Sequence, residues 1–247
     1  MKDFTYKEQD DEGLATLETI SKADKFNQWM FETILAEVEG STILEIGSGI
    51  GNISQQFLDK GYTLTLSDIR AQYCQELAST FSSYDNLGGV VLLDLVHPQF
   101  EEEYADHLLR YDSIFALNVV EHIEDDGLAL RNACKLLKPK GRLVILVPAY
   151  QTLYNNFDVA LYHYRRYTRS TLKKLFLDNG LKVDKDFHFN FMGIFGWWLF
   201  GSVFKRKLIP ENPMAWFNTL VPIFKLLDRM VLRKIGLSVI VSGNKQP

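Results

Sequence analysis

The stretch Ile43-Leu44-Glu45-Ile46-Gly47-Ser48-Gly49-Ile50-Gly51-Asn52 constrains this chain more than any other. A short apolar run leads straight into three alternating glycines, and an amphipathic segment follows. Glycine lets the backbone turn through positive φ and lets a ligand approach it closely. A helix start directly behind the loop adds N–H groups with no partner inside the helix. The pattern reads as a buried strand, a ligand-cradling turn and a helix.

The rest of the chain repeats that alternation. Short apolar runs at 42–46, 63–67, 90–93, 113–117 and 142–147 read as strands, with helices expected near 51–60, 70–80, 99–108 and 125–137. Strands that alternate with helical patterns indicate βαβ units and a parallel sheet buried on both faces. The expected fold class is therefore α/β: a Rossmann-like, doubly wound, mostly parallel seven-stranded sheet with helices on both faces. Ligands in such sheets lie at the carboxyl ends of the strands. Upstream, a loose tail of about ten residues precedes one or two amphipathic helices over 14–38. Downstream come a loop over 149–167, a helix near 168–179, a strand at 181–190, two aromatic-rich helices near 192–205 and 213–233, and a last strand at 237–241. The two aromatic helices form a helical insertion before the last strand. The organisation expected is one domain: a helical cover at 1–40, a cofactor-binding core at 41–150 and a substrate-side region at 151–247, with the insertion at about 192–235.

Two details choose the ligand. The dinucleotide fingerprint is GxGxxG, but Asn52 stands where its third glycine would be. Glu45 lies two residues before Gly47, and a carboxylate there would repel a pyrophosphate while suiting an ammonium and a sulfonium. The segment resembles the class I S-adenosylmethionine (SAM)-dependent methyltransferases, whose first motif is E-x-G-x-G-x-G, at Glu45, Gly47, Gly49 and Gly51. The resemblance continues in order through Asp68, Asp94, Asn118-Val119-Val120-Glu121-His122-Ile123 and the turn Leu136-Leu137-Lys138-Pro139-Lys140-Gly141. It implies SAM as cofactor, held by Glu45, Gly47, Ser48, Gly49 and Gly51. Asp68 and Ile69 would lie at the ribose, Asp94 and Leu95 near the adenine, and Asn118 after the fourth strand. Asn27 and Trp29 resemble part of an N-terminal helix that closes over the cofactor in some members; Trp29 also reads as an ordinary core residue.

An oxygen acceptor usually needs a base to take its proton. Two candidates stand at the ends of strands four and five. His122 reads either as wall of the cofactor pocket or as a catalytic group. His163 belongs to Tyr162-His163-Tyr164-Arg165-Arg166-Tyr167-Thr168, which gathers an imidazole, three phenols and two guanidinium groups. In one reading His163 is the base, Tyr162, Tyr164 and Tyr167 line the acceptor, and Arg165 or Arg166 binds an anionic group. In the other, Thr168 caps the next helix while the arginines and tyrosines fasten the loop to the sheet. Asp158 reads either as the group that orients His163 or as a surface turn residue.

The function expected is methyl transfer to a small-molecule acceptor, anionic or hydrophobic in character, by O-methylation in preference to N-methylation. An NAD-dependent oxidoreductase and a non-catalytic SAM-binding partner protein are the alternatives. The net charge of −4 and pI near 5.8 weigh against a nucleic-acid partner. Cys74 and Cys134 lack metal-type spacing, so neither a metal nor a disulfide framework is expected. No apolar leader and no spanning helix is read, and a cytoplasmic location is expected. The aromatic cluster from Phe187 to Phe204, followed by Lys205, Arg206 and Lys207, has four readings: a hydrophobic pocket wall, a homodimer interface, a peripheral membrane surface, or an enlarged core. Trp216, Phe217, Leu220, Ile223, Phe224, Leu227 and Val231 are expected close to one face of the second helix.

Overall fold

A computed structural model describes residues 11–246. The loose tail read at the amino terminus lies outside the described residues. Helices α1 (Asp11–Ser21) and α2 (Asp24–Leu35) lead into the alternating region. There follow β1 (Thr42–Ile46), α3 (Ser54–Asp59), β2 (Thr63–Asp68), α4 (Ala71–Thr80), β3 (Leu87–Leu92), α5 (Phe100–Glu103), β4 (Tyr111–Leu117), α6 (Asp126–Leu136) and β5 (Leu137–Pro148). The carboxyl-terminal part holds α7 (Asn156–Ala160), α8 (Arg169–Asp178), β6 (Leu181–Phe189), α9 (Gly193–Trp197), α10 (Glu211–Met230) and β7 (Ser238–Lys245).

The strands form one sheet of seven in the order β3-β2-β1-β4-β5-β7-β6. The first five pair in parallel, and β7 runs antiparallel between β5 and β6. This is the mostly parallel, doubly wound α/β sheet expected, with strand order reversing beside β1. Period-two alternation sends successive side chains to opposite faces. Leu44, Ile114 and Ile145 enter a core beneath α5, α6 and α8. Their neighbours Ile43, Phe115 and Val144 enter the other core, under α2, α3, α4 and α10.

Several boundaries differ from the sequence reading. The helix expected at 99–108 is a single α-turn and a separate 3-10 turn at Ala105–His107. The loop expected at 149–167 contains α7. The helix expected at 192–205 is α9 continued by a π-helical stretch, Trp198–Val203. That insertion is seated by Asp228 of α10, whose buried carboxylate accepts from the backbone N–H groups of Asn190 and Phe191 at 2.9 and 2.7 Å.

One buried ionic knot ties the amino-terminal helices to the far edge of the sheet. Glu37, just after α2, receives hydrogen bonds from Ser242 Oγ on β7 (2.8 Å) and Lys185 Nζ on β6 (3.0 Å). It also pairs with Arg142 of β5, and the Glu37 and Arg142 side chains are 4% and 5% exposed. Asp184 and Glu39 would still pair with Arg142, but Glu37→Ala leaves the buried donors of Arg142 and Ser242 without their acceptor and should destabilise the fold by about 1–3 kcal/mol. Urea denaturation measures this, and a loss below about 1 kcal/mol, the range of an exposed pair, would deny the knot its bracing role.

Candidate active site

The glycine loop emerges from β1 with Gly47, Gly49 and Gly51 at φ of 72°, 54° and 84°. Side-chain-bearing residues are strained there, and at Gly47 an added Cβ would stand 2.3 Å from Val119 Cγ2. Ser48 N donates to Ser67 O at 2.8 Å, and Gly49 N donates to Asp68 Oδ2 at 3.1 Å, so the loop is fastened to the end of β2. The other Asp68 oxygen accepts from Arg70 N at 3.0 Å. Burial raises the Asp68 pKa against the pull of these N–H donors. Asp94 follows β3 and accepts from Val96 N at 2.9 Å. Asn118, after β4, is exposed with φ of 53°, and Ile69 is partly buried. Gly47, Asp68, Asp94 and Asn118 thus share the carboxyl ends of β1 to β4, the place where the fold puts a ligand. The positive-φ cradle and the two acidic strand ends fit a nucleoside carrying an amino-acid tail.

Four of the expected cofactor residues make contacts within the protein, and Trp29 takes its core reading. Glu45 is enclosed and accepts from Ser54 Oγ, so its carboxylate braces the loop against α3; burial pushes it up to about 7. Leu95 packs in the core, and its carbonyl accepts from Asn132 Nδ2 at 2.8 Å. Asn27 donates to the carbonyls of Ile20 and Ser21 and so closes the end of α1. Trp29 lies in the core, its ring 4.4 Å from Phe189. The part of the helical cover that reaches the loop is α1: an added Cβ on Gly49 would lie 3.0 Å from Leu17 Cδ1.

A second constellation stands beside the ends of β4 and β5, organised by Asp158. This carboxylate is fully buried. Its Oδ1 meets His163 Nδ1 at 2.8 Å and accepts from Arg166 Nε at 2.7 Å. Its Oδ2 accepts from Asn155 N at 2.9 Å, and Trp197 Nε1 approaches it at 3.4 Å. Burial works to raise the Asp158 pKa, but the His163 hydrogen bond and the Arg166 charge outweigh it, and the carboxylate stays ionised. Arg166 also donates to Ala149 O at 2.9 Å and stacks over the Trp197 ring at 4.7 Å.

The other members of the 162–168 stretch divide between the two readings. Thr168 caps α8 in a capping box. Arg165 pairs with Asp126 at 2.8 Å and donates to Glu124 O, and the buried Tyr167 hydroxyl donates to the same Asp126. Arg165, Arg166 and Tyr167 therefore fasten the loop instead of presenting themselves to an acceptor. Tyr162 is exposed and Tyr164 partly buried.

His122 and His163 meet edge-on with ring centroids 4.6 Å apart. Burial pushes the His122 pKa down to about 3, helped by the nearby His163 and Arg70. Beside them Glu121 is fully buried, with both carboxylate oxygens lacking a hydrogen-bond partner, and burial raises its pKa to about 8. Glu121, His122 and His163 bring one ligand atom each within 4.8 Å, the donor set of a two-histidine, one-carboxylate metal site. Within the cluster Asp158 offsets Arg166, and burial favours the neutral forms of Glu121 and His122. Of the two readings of Asp158, the contact with His163 is the one seen, and it is not a surface turn residue. Sequence reasoning did not single out Glu121 for a role of its own; the Glu-His pair directly after β4 was the available signal.

A family described as a methyltransferase domain matches residues 14–186. The chain belongs to that family. The methyltransferase is 29% identical over 136 residues to a probable polyketide synthase of Dictyostelium discoideum, covering 49% of this chain and 5% of that protein. It spans less than half the length of the curated relatives it matches. Among solved structures it resembles the methyltransferase bound to the Haloferax volcanii Trm112 activator, with TM-score 0.63 and 15% identity over 97% of this chain and 99% of that one. A Burkholderia thailandensis 1,6-didemethyltoxoflavin N1-methyltransferase, solved with its substrate and S-adenosylhomocysteine, aligns with TM-score 0.56 and 16% identity over 94% of this chain and 81% of that one. The family is that of a methyltransferase domain, and the fold is one shared with a SAM-dependent methyltransferase of Archaeoglobus fulgidus, at TM-score 0.59 and 18% identity over 90% of this chain and 94% of that one.

The Glu121 pKa carries a sign. Its folded-state value lies above its unfolded one, so between about pH 4.5 and 8 the native state holds a proton that the unfolded chain has released. That contribution to stability fades as pH rises through the window. Glu121→Gln, which keeps the shape and cannot ionise, should gain stability relative to the parent from pH 4.5 to pH 8. Parallel melting-temperature profiles for the two proteins would show that Glu121 is already ionised.

Proposed function

We propose that this methyltransferase moves the SAM methyl group to a hydroxyl of a small-molecule acceptor, with His163 as general base. The observation that carries this reading is the buried Asp158 bonded to His163 Nδ1 at 2.8 Å. An aspartate in that place fixes the tautomer and leaves Nε2 to accept a proton. SAM, when bound, supplies a methyl group on a sulfonium that is already a good leaving group. Gly47, Ser48, Gly49 and Gly51 would cradle it, with Asp68 at the ribose hydroxyls, Asp94 and the backbone of Leu95 near the adenine, and Ile69 and Asn118 at the pocket edge.

The chain's own work is then alignment and proton removal. As the acceptor oxygen forms its bond to carbon, its proton passes to His163 Nε2, and Asp158 stabilises the imidazolium. A neutral His122 edge-on to His163 adds no competing charge. An amine acceptor would need less help from a base, so the Asp158–His163 pair favours oxygen over nitrogen. Tyr162 and Tyr164 are the aromatic residues of this segment placed to line the acceptor entrance. A small-molecule acceptor also accords with the polyketide synthase and toxoflavin methyltransferase among the similar proteins. In this reading a cover runs up to residue 40, a SAM-binding core spans 41–150 and the acceptor side lies beyond it.

Two variants separate the halves of the site. Asp68→Ala removes a buried charged hydrogen-bond acceptor and should weaken SAM binding about tenfold to a hundredfold by calorimetry. His163→Ala should bind SAM normally but lose about 10²–10⁴-fold in methyl transfer. The assay supplies methyl-deuterated SAM with a metabolite extract and reads labelled products by mass spectrometry. Undiminished labelling by His163→Ala would remove it from the base's role.

A further inference from the structure

The insertion between β6 and β7 carries an apolar surface that the fold does not use. Trp216, Leu220, Ile223 and Met230 occur at spacings of four, three and seven, one stripe of a helix, and all four are exposed, Trp216 to 73% and Met230 to 68%. The face buried against the protein is a different one, made by Val221, Phe224 and Asp228. The sequence reading placed Trp216, Phe217, Leu220 and Phe224 together; in the structure the apolar residues of α10 divide between an inner and an outer side. α9 and the π-helical stretch continue the outer surface with Trp198 and Phe204, 53% and 57% exposed.

Charge identifies what covers this surface. Residues 193–236 hold seven Lys and Arg against two Asp and Glu, a net +5 in a chain of net −4, which leaves −9 on the remainder. Both acidic residues are occupied: Asp228 is buried, and Glu211 pairs with Lys22. Lys205, Arg206, Lys207, Arg229 and Lys234 are exposed and form no salt bridge among the described residues. A second copy of the chain would bring one basic patch against another, since a two-fold interface pairs a surface with itself. A negatively charged lipid surface satisfies both features, taking the aromatic and aliphatic side chains into its boundary and the cations at its headgroups. No described helix is long and apolar enough to cross a membrane.

We propose that the outer face of α9 and α10 seats this protein on an anionic lipid bilayer. The active site rides on the same element: Trp197 faces inward to Asp158 and Arg166 while Trp198 faces out. Docking therefore places the acceptor side at the lipid boundary. This inference does not depend on the acceptor atom or on His163 as base.

Flotation with two kinds of vesicle tests it: phosphatidylcholine alone, and phosphatidylcholine mixed with phosphatidylglycerol. The parent protein should float with the mixed vesicles, bind the neutral ones far less, and release at high salt. Its tryptophan emission should shift to the blue on binding. Lys205→Gln, Arg206→Gln and Lys207→Gln together should weaken partitioning about a hundredfold, from roughly fivefold per residue. Trp216→Ser with Ile223→Ser should weaken it at least about tenfold, from the apolar area lost. Both variants alter exposed side chains and should bind SAM like the parent. Failure of the parent to bind mixed vesicles would overturn the proposal, as would binding unaffected by both variants. So would a dimer, seen by sedimentation velocity, that Trp216→Ser with Ile223→Ser dissolves; that result would give the face to a second copy.

Discussion

The acceptor side of this protein depends on one fully buried carboxylate. Asp158 joins α7, the loop that carries His163 and Arg166, and the tryptophan of α9, segments separated by up to 39 residues. A buried charge is tolerated only when paired and hydrogen-bonded, and each partner of Asp158 needs it in return. Without it, Arg166 would be left charged inside the protein and His163 would lose its tautomer. The orientation of His163 and the seating of Trp197 are thus one structural fact.

The cofactor side rests on backbone geometry instead. Three glycines at positive φ turn the chain from β1, and Asp68 receives an N–H from the loop they form. The parallel sheet brings Asp68, Asp94 and Asn118 to the same edge because every strand from β1 to β4 runs in one direction. The buried Glu121 and His122 lie where the two halves meet, directly after β4, and both are neutral near pH 7. Burial thus favours a low-charge wall between the glycine-loop side and the Asp158 side of the site.

Much of this was legible in the sequence because it rests on local patterns. Doubly buried strands read as continuous apolar runs, and the glycine loop, Asp68 and Asp94 follow them at fixed offsets. Asn27 closes a helix and Trp29 takes its core reading, because the residues that could cover a ligand are the same types that close helices and fill cores. The choice between the two readings of Asp158, and any role for Glu121, appears only when the segment after β5 folds back beside β4, where Tyr164 N donates to Glu121 O at 2.8 Å. The two-sided apolar character of α10 was also hidden. A helical stripe wide enough for two faces looks in sequence like one broad face, and only contact with α1 and α2 shows which half is covered.

The central claim is that the carboxyl edge of this sheet holds SAM and excludes a dinucleotide. Calorimetric titration of the purified protein with SAM and, separately, with NADH tests it most directly. The account predicts one SAM per chain and no heat from NADH, because Asn52 replaces the third glycine of the dinucleotide fingerprint. Binding of NADH with no binding of SAM would contradict the account at its foundation.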